Sequence, residues 1–318
     1  MIQVKAMTTK TAVQFRKTQA TSHLFDRLKQ CRRCSRYSCL WDDRCLSCEA
    51  EQSRSAVPEQ TGAVLKHRRQ TGMLAVGAIG ALAFLLARNA EQMILSVVGA
   101  ALLLALYVFL HKRYEPILYR RTLGRLLLQD QQKIREGLLL DIDDAEADLR
   151  EEDFKTAYEK FREIGYFIQD DSIKILKVYC LNKFILRSDM DLELNSLLPN
   201  RFDKDVIEYM HEIGKVRPQL ITREALDYVM KYRGMIERLP EGRDVLTAAA
   251  GAALRVKSNL HAYRSLLLDH AQELPKDRLL RLCRLLAEQP DADPELTQKA
   301  RDAVKLKYDF DPEFQGIL

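Results

Sequence analysis

The chain has 318 residues, 47% hydrophobic and 30% charged, which leaves room for one sizeable soluble domain plus smaller elements. Its net charge of +5 is unevenly spread: +8 over residues 1–71, zero over 72–111, +4 over 112–128 and −7 over 129–318. Basic segments therefore bracket an apolar stretch and the large remainder is acidic, a pattern that excludes a protein built to coat nucleic acid along its whole length.

Residues 1–28, rich in Thr, Gln and Lys, are expected to form a flexible basic N-terminus. The first apolar run begins near residue 72, too late for a secretory signal peptide. Five of the seven cysteines then fall together: Cys31 and Cys34, Cys39, and Cys45 and Cys48. Two Cys-x2-Cys knuckles separated by ten residues can place four thiolates around one structural Zn²⁺, each knuckle presenting two sulfurs from a single turn. The ten residues between them suffice for a small strand hairpin. Arg32, Arg33, Arg36 and Arg44 would favour thiolates and offset the −2 charge of a Zn(Cys)4 centre. A segment this small cannot build its own apolar core, so metal would supply most of its folding energy. Over residues 29–50 the pattern resembles a short zinc-ribbon family found at the N-terminus of many bacterial membrane proteins. The resemblance implies that Cys31, Cys34, Cys45 and Cys48 are the ligands. That family usually carries Gly after each knuckle, where Ser35 and Glu49 stand here. Cys39 is additional and could substitute for one ligand. Trp41, the only tryptophan, lies between the knuckles and either packs on the ribbon or contacts a partner.

Residues 51–70, with Pro58, read as a linker. A transmembrane hairpin is expected over 71–112. Its two runs, 72–87 (GMLAVGAIGALAFLLA) and 93–110 (MILSVVGAALLLALYVFL), contain 16 and 18 residues without a charge. At about 1.5 Å per residue each covers roughly 24–27 Å, short for a bilayer core of about 30 Å. Gly77 and Ala81, like Ala101 and Ala105, lie four apart and suggest close antiparallel packing. One continuous helix would carry Arg88 and Glu91 to mid-membrane, at a cost of several kcal/mol. Lys66, Arg68 and Arg69 precede the first run, and Lys112, Arg113, Arg120 and Arg121 follow the second. That bias predicts a multi-pass protein of the inner or plasma membrane with both termini cytoplasmic. The same residues would meet anionic lipid.

From 113 to 318 the pattern is helical, which makes the chain an all-α membrane protein with a cytoplasmic α-helical domain, solenoid-like or a bundle. The periodicity predicts helices at 116–138, 141–151, 153–165, 170–187, 203–214, 222–237, 244–256, 258–273, 276–288 and 294–307. Breaks are expected at Pro199, Gly214 with Pro218, Pro240 with Gly242, Pro275, and Pro290 with Pro294. Asp293-Pro294-Glu295 reads as an N-cap followed by a first-turn proline. Ala145, Phe154, Ala157 and Phe161 resemble half of a tetratricopeptide unit, though no 34-residue sequence period follows. The acidic run 141–148 lacks the glycine of a calcium loop and reads as a solvated helix face. Cys180 and Cys283 fall on apolar helix faces, while His211, His261 and His270 are too scattered to be ligands.

No Walker A loop, GxGxxG, HExxH or GxSxG motif occurs. The expected function is a non-enzymatic membrane-anchored adaptor or scaffold that docks protein partners through its helical domain and its ribbon. The alternative is a membrane-tethered regulator that contacts nucleic acid through the basic ribbon segment.

Overall fold

A computed structural model of the chain describes residues 10–18, 21, 23–42, 44–51, 54–288 and 293–317. The chain divides into two compact units, residues 18–147 and residues 1–17 with 148–318. The break expected at Pro290 lies outside the described residues, as do the first nine residues of the expected N-terminal tail.

The 18–147 unit opens with a 3₁₀ turn, Leu24–Arg27, and a three-stranded antiparallel sheet. Its strands are β1 (Lys29–Cys31), β2 (Tyr37–Ser38) and β3 (Arg54–Ala56), in the order β2-β1-β3. The first knuckle is itself the turn between β1 and β2, so the expected hairpin between the knuckles is replaced by one around Cys31 and Cys34. β3 runs directly into α1 (Val57–Leu85), with Pro58 in its first turn where a missing N–H costs nothing. Residues 54–70 are thus a strand and helix, and the expected linker is ordered there.

After a short turn α2 (Ala90–Gln129) returns antiparallel to α1, with Gly72 beneath the Tyr107 ring and Gly80 against Ala100. A Cβ on Gly80 would stand 2.6 Å from that of Ala100. The close approach therefore runs through Gly80 and Ala100, whereas Gly77, Ala81, Ala101 and Ala105 are exposed. Among the described residues one helix, α2, is long and apolar enough to cross a membrane. The run 72–87 on α1 is shorter and rich in Gly and Ala, which add little transfer energy. α2 continues through Pro116, where a new helix had been expected. The antiparallel contact with α1, seen at Ala100 on Gly80, helps to hold the helix across the lost hydrogen bond. The break falls at Asp130, and α3 (Gln131–Arg150) then runs through the interruption expected near residue 140.

The second unit is helical. α4 (Phe154–Ile164) and α5 (Asp171–Leu181) pair, and a long loop that buries Phe184, Leu192, Leu194 and Leu197 leads to α6 (Lys204–Val216). There follow α7 (Arg223–Lys231), α8 (Arg233–Ile236), α9 (Gly242–Ala253), α10 (Asn259–Ala262), α11 (Arg264–His270), α12 (Lys276–Ala287) and α13 (Pro294–Tyr308). α6, α9 and α12 begin at Lys204, Gly242 and Lys276, and α7, α10 and α13 at Arg223, Asn259 and Pro294. A helix pair thus recurs about every 35 residues. Ala157, Phe161, Tyr209, Leu226, Leu266 and Leu282 are fully buried or nearly so. Carboxylates cap the helices: Asp153 accepts from the Thr156 N–H (3.1 Å), Asp203 from the Asp205 N–H (2.9 Å) and Asp293 from the Leu296 N–H (3.1 Å).

Residues 10–17, expected to be flexible, form an extended strap on this unit. The Thr11 N–H donates to the Lys183 carbonyl and the Ile185 N–H to the Thr11 carbonyl, each at 3.0 Å. The Phe15 ring lies 4.6 Å from that of Tyr158 in a tilted contact and 5.5 Å from that of Phe184 edge to face, and the Arg16 N–H donates to Glu159 Oε1 at 2.8 Å. Phe15 supplies an apolar anchor that polar composition alone conceals.

Ion pairs tie successive helix pairs together. Arg264 donates to both oxygens of Asp293, at 2.5 and 2.9 Å, and holds that carboxyl below its usual range. Arg243, with His270 and Thr247, pushes Glu273 down to about 2. A carboxylate whose folded pKa lies below its unfolded value stabilises fully above the unfolded pKa of about 4.3 and loses that contribution as pH falls. The unfolding temperature of the helical unit is therefore expected to drop between about pH 4.5 and pH 2, with a shallower drop in E273Q. Asp293→Ala removes a cap as well as an ion pair and is expected to cost about 1–2 kcal/mol at pH 7 in urea unfolding.

Candidate metal centre

The Sγ atoms of Cys31, Cys34, Cys45 and Cys48 all lie within 4.8 Å of one another. Cys31 and Cys48 are 3.7 Å apart, Cys34 and Cys45 3.5 Å. A tetrahedron with metal–sulfur bonds of about 2.3 Å has edges of roughly 3.8 Å, so four thiolates in this arrangement could hold one metal ion.

The two knuckles have the same backbone. In the first, the Ser35 N–H donates to the Cys31 carbonyl and the Cys31 N–H to the Arg36 carbonyl, both at 2.9 Å. In the second, the Glu49 N–H donates to the Cys45 carbonyl (2.9 Å) and the Cys45 N–H to the Ala50 carbonyl (3.1 Å). Each turn requires a left-handed residue, and Ser35 (φ 59°) and Glu49 (φ 56°) occupy those positions. Both are non-glycine residues in the left-handed region, so the turn geometry is kept at the cost of local strain. Ser35→Gly and Glu49→Gly are each expected to relieve about 1 kcal/mol. Chelator competition should read this as roughly fivefold tighter metal retention per site.

Cys31 and Cys45 are buried and the other two half-buried. Burial, with hydrogen bonds from its neighbours, pushes the Cys34 thiol up to about 12. Burial acts against Cys45 too, yet the N–H groups of Cys48 and Ser47 lower it overall.

Cys39 lies outside the four-sulfur group. Its thiol and its N–H both point to Asp141 Oδ2, at 3.4 and 2.8 Å, and the Ser38 hydroxyl donates to Asp141 Oδ1 at 2.8 Å. Asp141 is 0% exposed, which corrects the expectation that the run 141–148 is a solvated face; Asp143 does face solvent. One turn earlier on α3, Gly137 meets the Tyr37 carbonyl so closely that a Cβ would stand 2.0 Å from its oxygen. The Tyr37 hydroxyl donates to Asp130 Oδ2 at 2.8 Å. β2 and the residues after it are thereby seated on Asp130, Gly137 and Asp141. The sequence signal for this seat was a lone glycine inside a helical stretch, followed four residues later by an acid on the same face.

Lys66, Arg68 and Arg69 on α1 and Lys112, Arg113, Arg120 and Arg121 on α2 are all exposed, at the ends of the apolar stretches. Cys180 and Cys283 are buried in the helical unit, and burial pushes their thiols up to about 12 and about 11. No known protein-family model matches the chain, and neither a curated protein nor a solved structure matches it.

Proposed function

We propose that the chain is a non-enzymatic membrane-anchored adaptor, with a structural Zn²⁺ in its ribbon and a helical domain that docks protein partners. The observation that carries this reading is α2. One uninterrupted helix bears a membrane-length apolar stretch and a polar extension that leads to α3, on which the ribbon rests. Both apolar runs lie in the bilayer. Leu74, Ile79 and Leu82 on α1 and Ile94, Leu102 and Phe109 on α2 point outward, a surface that water disfavours and lipid accepts. The basic residues at the open ends support an orientation with both termini in the cytoplasm and the 86–89 turn outside.

A donor set of four thiolates, two of them buried, with matched S–S spacing suits tetrahedral Zn²⁺ in a closed structural site. In the helical domain the pairs recurring about every 35 residues build an extended surface, and Met235, Leu306 and Phe310 stand out on it as exposed apolar side chains.

The anchor is tested by alkaline carbonate extraction of membranes containing the full chain, which should stay in the pellet. Recovery as a monodisperse soluble species would sink the reading. The docking role is tested with photo-crosslinkers at Leu306 and Phe310 of the full chain in its own membranes. A discrete protein adduct is expected, and unmodified chain at both positions counts against it. The ribbon also exposes Arg32, Arg33 and Arg36. Steeply salt-dependent RNA or DNA binding that R32Q/R33Q/R36Q abolishes would favour the nucleic-acid role instead.

A further inference from the structure

We propose that α1 and α2 form a binding site for one anionic phospholipid, just beyond the apolar stretch; this rests on the membrane reading above. A cleft of about 660 Å³ opens between the two helices there. Leu65 and Arg68 line it from α1, and Tyr107, His111, Tyr114 and Arg121 from α2. The α2 residues recur at helical spacing and share one face. The Tyr107 ring fits because Gly72 has no side chain beneath it, and it lies 6.0 Å from the His111 ring.

Two features of the cleft identify its occupant. The first is charge without compensation. In the helical unit Arg233, Arg243, Arg264 and Lys276 each face a carboxylate. Arg68 and Arg121 face none among the described residues, and His111 Nδ1 is shielded from solvent with no protein partner among them. Two guanidinium groups that line one cleft without a carboxylate partner suit the oxygens of a phosphate group. The second is continuity. The cleft wall at Tyr107 and Leu110 continues into the apolar surface of residues 93–106, so a headgroup held by Arg68 and Arg121 leaves its acyl chains along lipid-facing α2. Tyrosines at this level suit the water–lipid boundary, with the ring in the apolar region and the hydroxyl toward the headgroups. A soluble phosphate would use only the polar end of such a cleft.

The test uses the full chain in nanodiscs of phosphatidylglycerol and phosphatidylcholine, with retained lipid read by native mass spectrometry after gentle ejection. The intact chain is expected to retain one phosphatidylglycerol, enriched on the order of tenfold over phosphatidylcholine. R68Q/R121Q should reduce that enrichment to near unity. R69Q/R125Q, which removes the same charge outside the cleft, should leave it within about twofold of the intact chain. Added inorganic phosphate should not displace the lipid. All three chains should unfold at the same temperature, since the substituted side chains are exposed. Equal loss in both double variants would show diffuse surface attraction and overturn the site, as would enrichment that survives R68Q/R121Q or is absent from the intact chain. Displacement by inorganic phosphate would overturn the lipid as occupant. Carbonate extraction of the same preparations separates the two readings. A chain retained in the membrane without lipid preference loses only the site, and a chain released from the membrane loses both.

Discussion

Changing Cys31 and Cys34 together to Ser is expected to take the bound metal from one zinc per chain to none and to unfold the ribbon. The reason is one of scale. A structural zinc site held by four thiolates contributes on the order of 10 kcal/mol to folding at neutral pH. Without it, the ribbon has three strands of three residues or fewer and a small buried set, chiefly Leu28, Tyr37, Leu40 and Val57. At about 25 cal/mol per Å² of apolar burial, that set cannot offset the conformational entropy of the two knuckles. Metal analysis reads the first outcome. Amide hydrogen exchange reads the second, through loss of protection at Cys31, Ser35, Cys45 and Glu49, whose N–H groups close the knuckles. A variant that loses metal yet keeps those amides protected would show that the sulfur cluster is a passenger. Because thiolates bind and thiols do not, zinc should also be released from the intact chain as pH falls.

Asp141→Ala is expected to leave the metal in place and detach the ribbon from its seat on α3. The substitution strips a buried acceptor from the Ser38 hydroxyl and the Cys39 N–H, both of which remain away from water. Each orphaned donor costs about 1–3 kcal/mol, so roughly 3–4 kcal/mol is lost in all. Gly137→Ala reaches the same end by another route, since its methyl group would collide with the Tyr37 carbonyl. Asp143→Ala, on the exposed side of the helix, should change stability by less than about 0.5 kcal/mol. The readout is faster exchange of the Cys39 and Leu40 amides at full zinc occupancy. Unchanged exchange in both D141A and G137A would mean that the ribbon is held by the metal and the sheet alone.

What the sequence made legible follows from how local each signal is. The four sulfurs could be read because a Cys-x2-Cys turn is a short-range object and two of them leave few alternatives. The Asp293-Pro294 start of α13 was legible for the same reason, and the cap is there. Asp141 was not, because a single glycine four residues before it is a weak signal and its neighbour Asp143 is an exposed acid. Its role is set by Ser38 and Cys39, which approach from far away in the chain. The hairpin contact at Gly80 escaped notice because small residues occur on every face of that run, and only the partner helix selects one. The helix-pair period was hidden likewise, since element lengths carry it and no residue signature does.

The strap has a consequence for the order in which the polypeptide is built. Thr11 leaves the ribosome early but finds its hydrogen-bonding partners only when Lys183 and Ile185 emerge. Everything between, from the knuckles to the end of α3, is synthesised while that segment waits. The ribbon and the α1–α2 hairpin can therefore fold first, and docking Phe15 between Tyr158 and Phe184 closes the second unit late. Closing so long a loop adds only a little entropy over a short one, because the penalty grows with the logarithm of its length. The delay is thus one of timing, and a nascent chain stalled before residue 184 should still have residues 10–17 open to a protease.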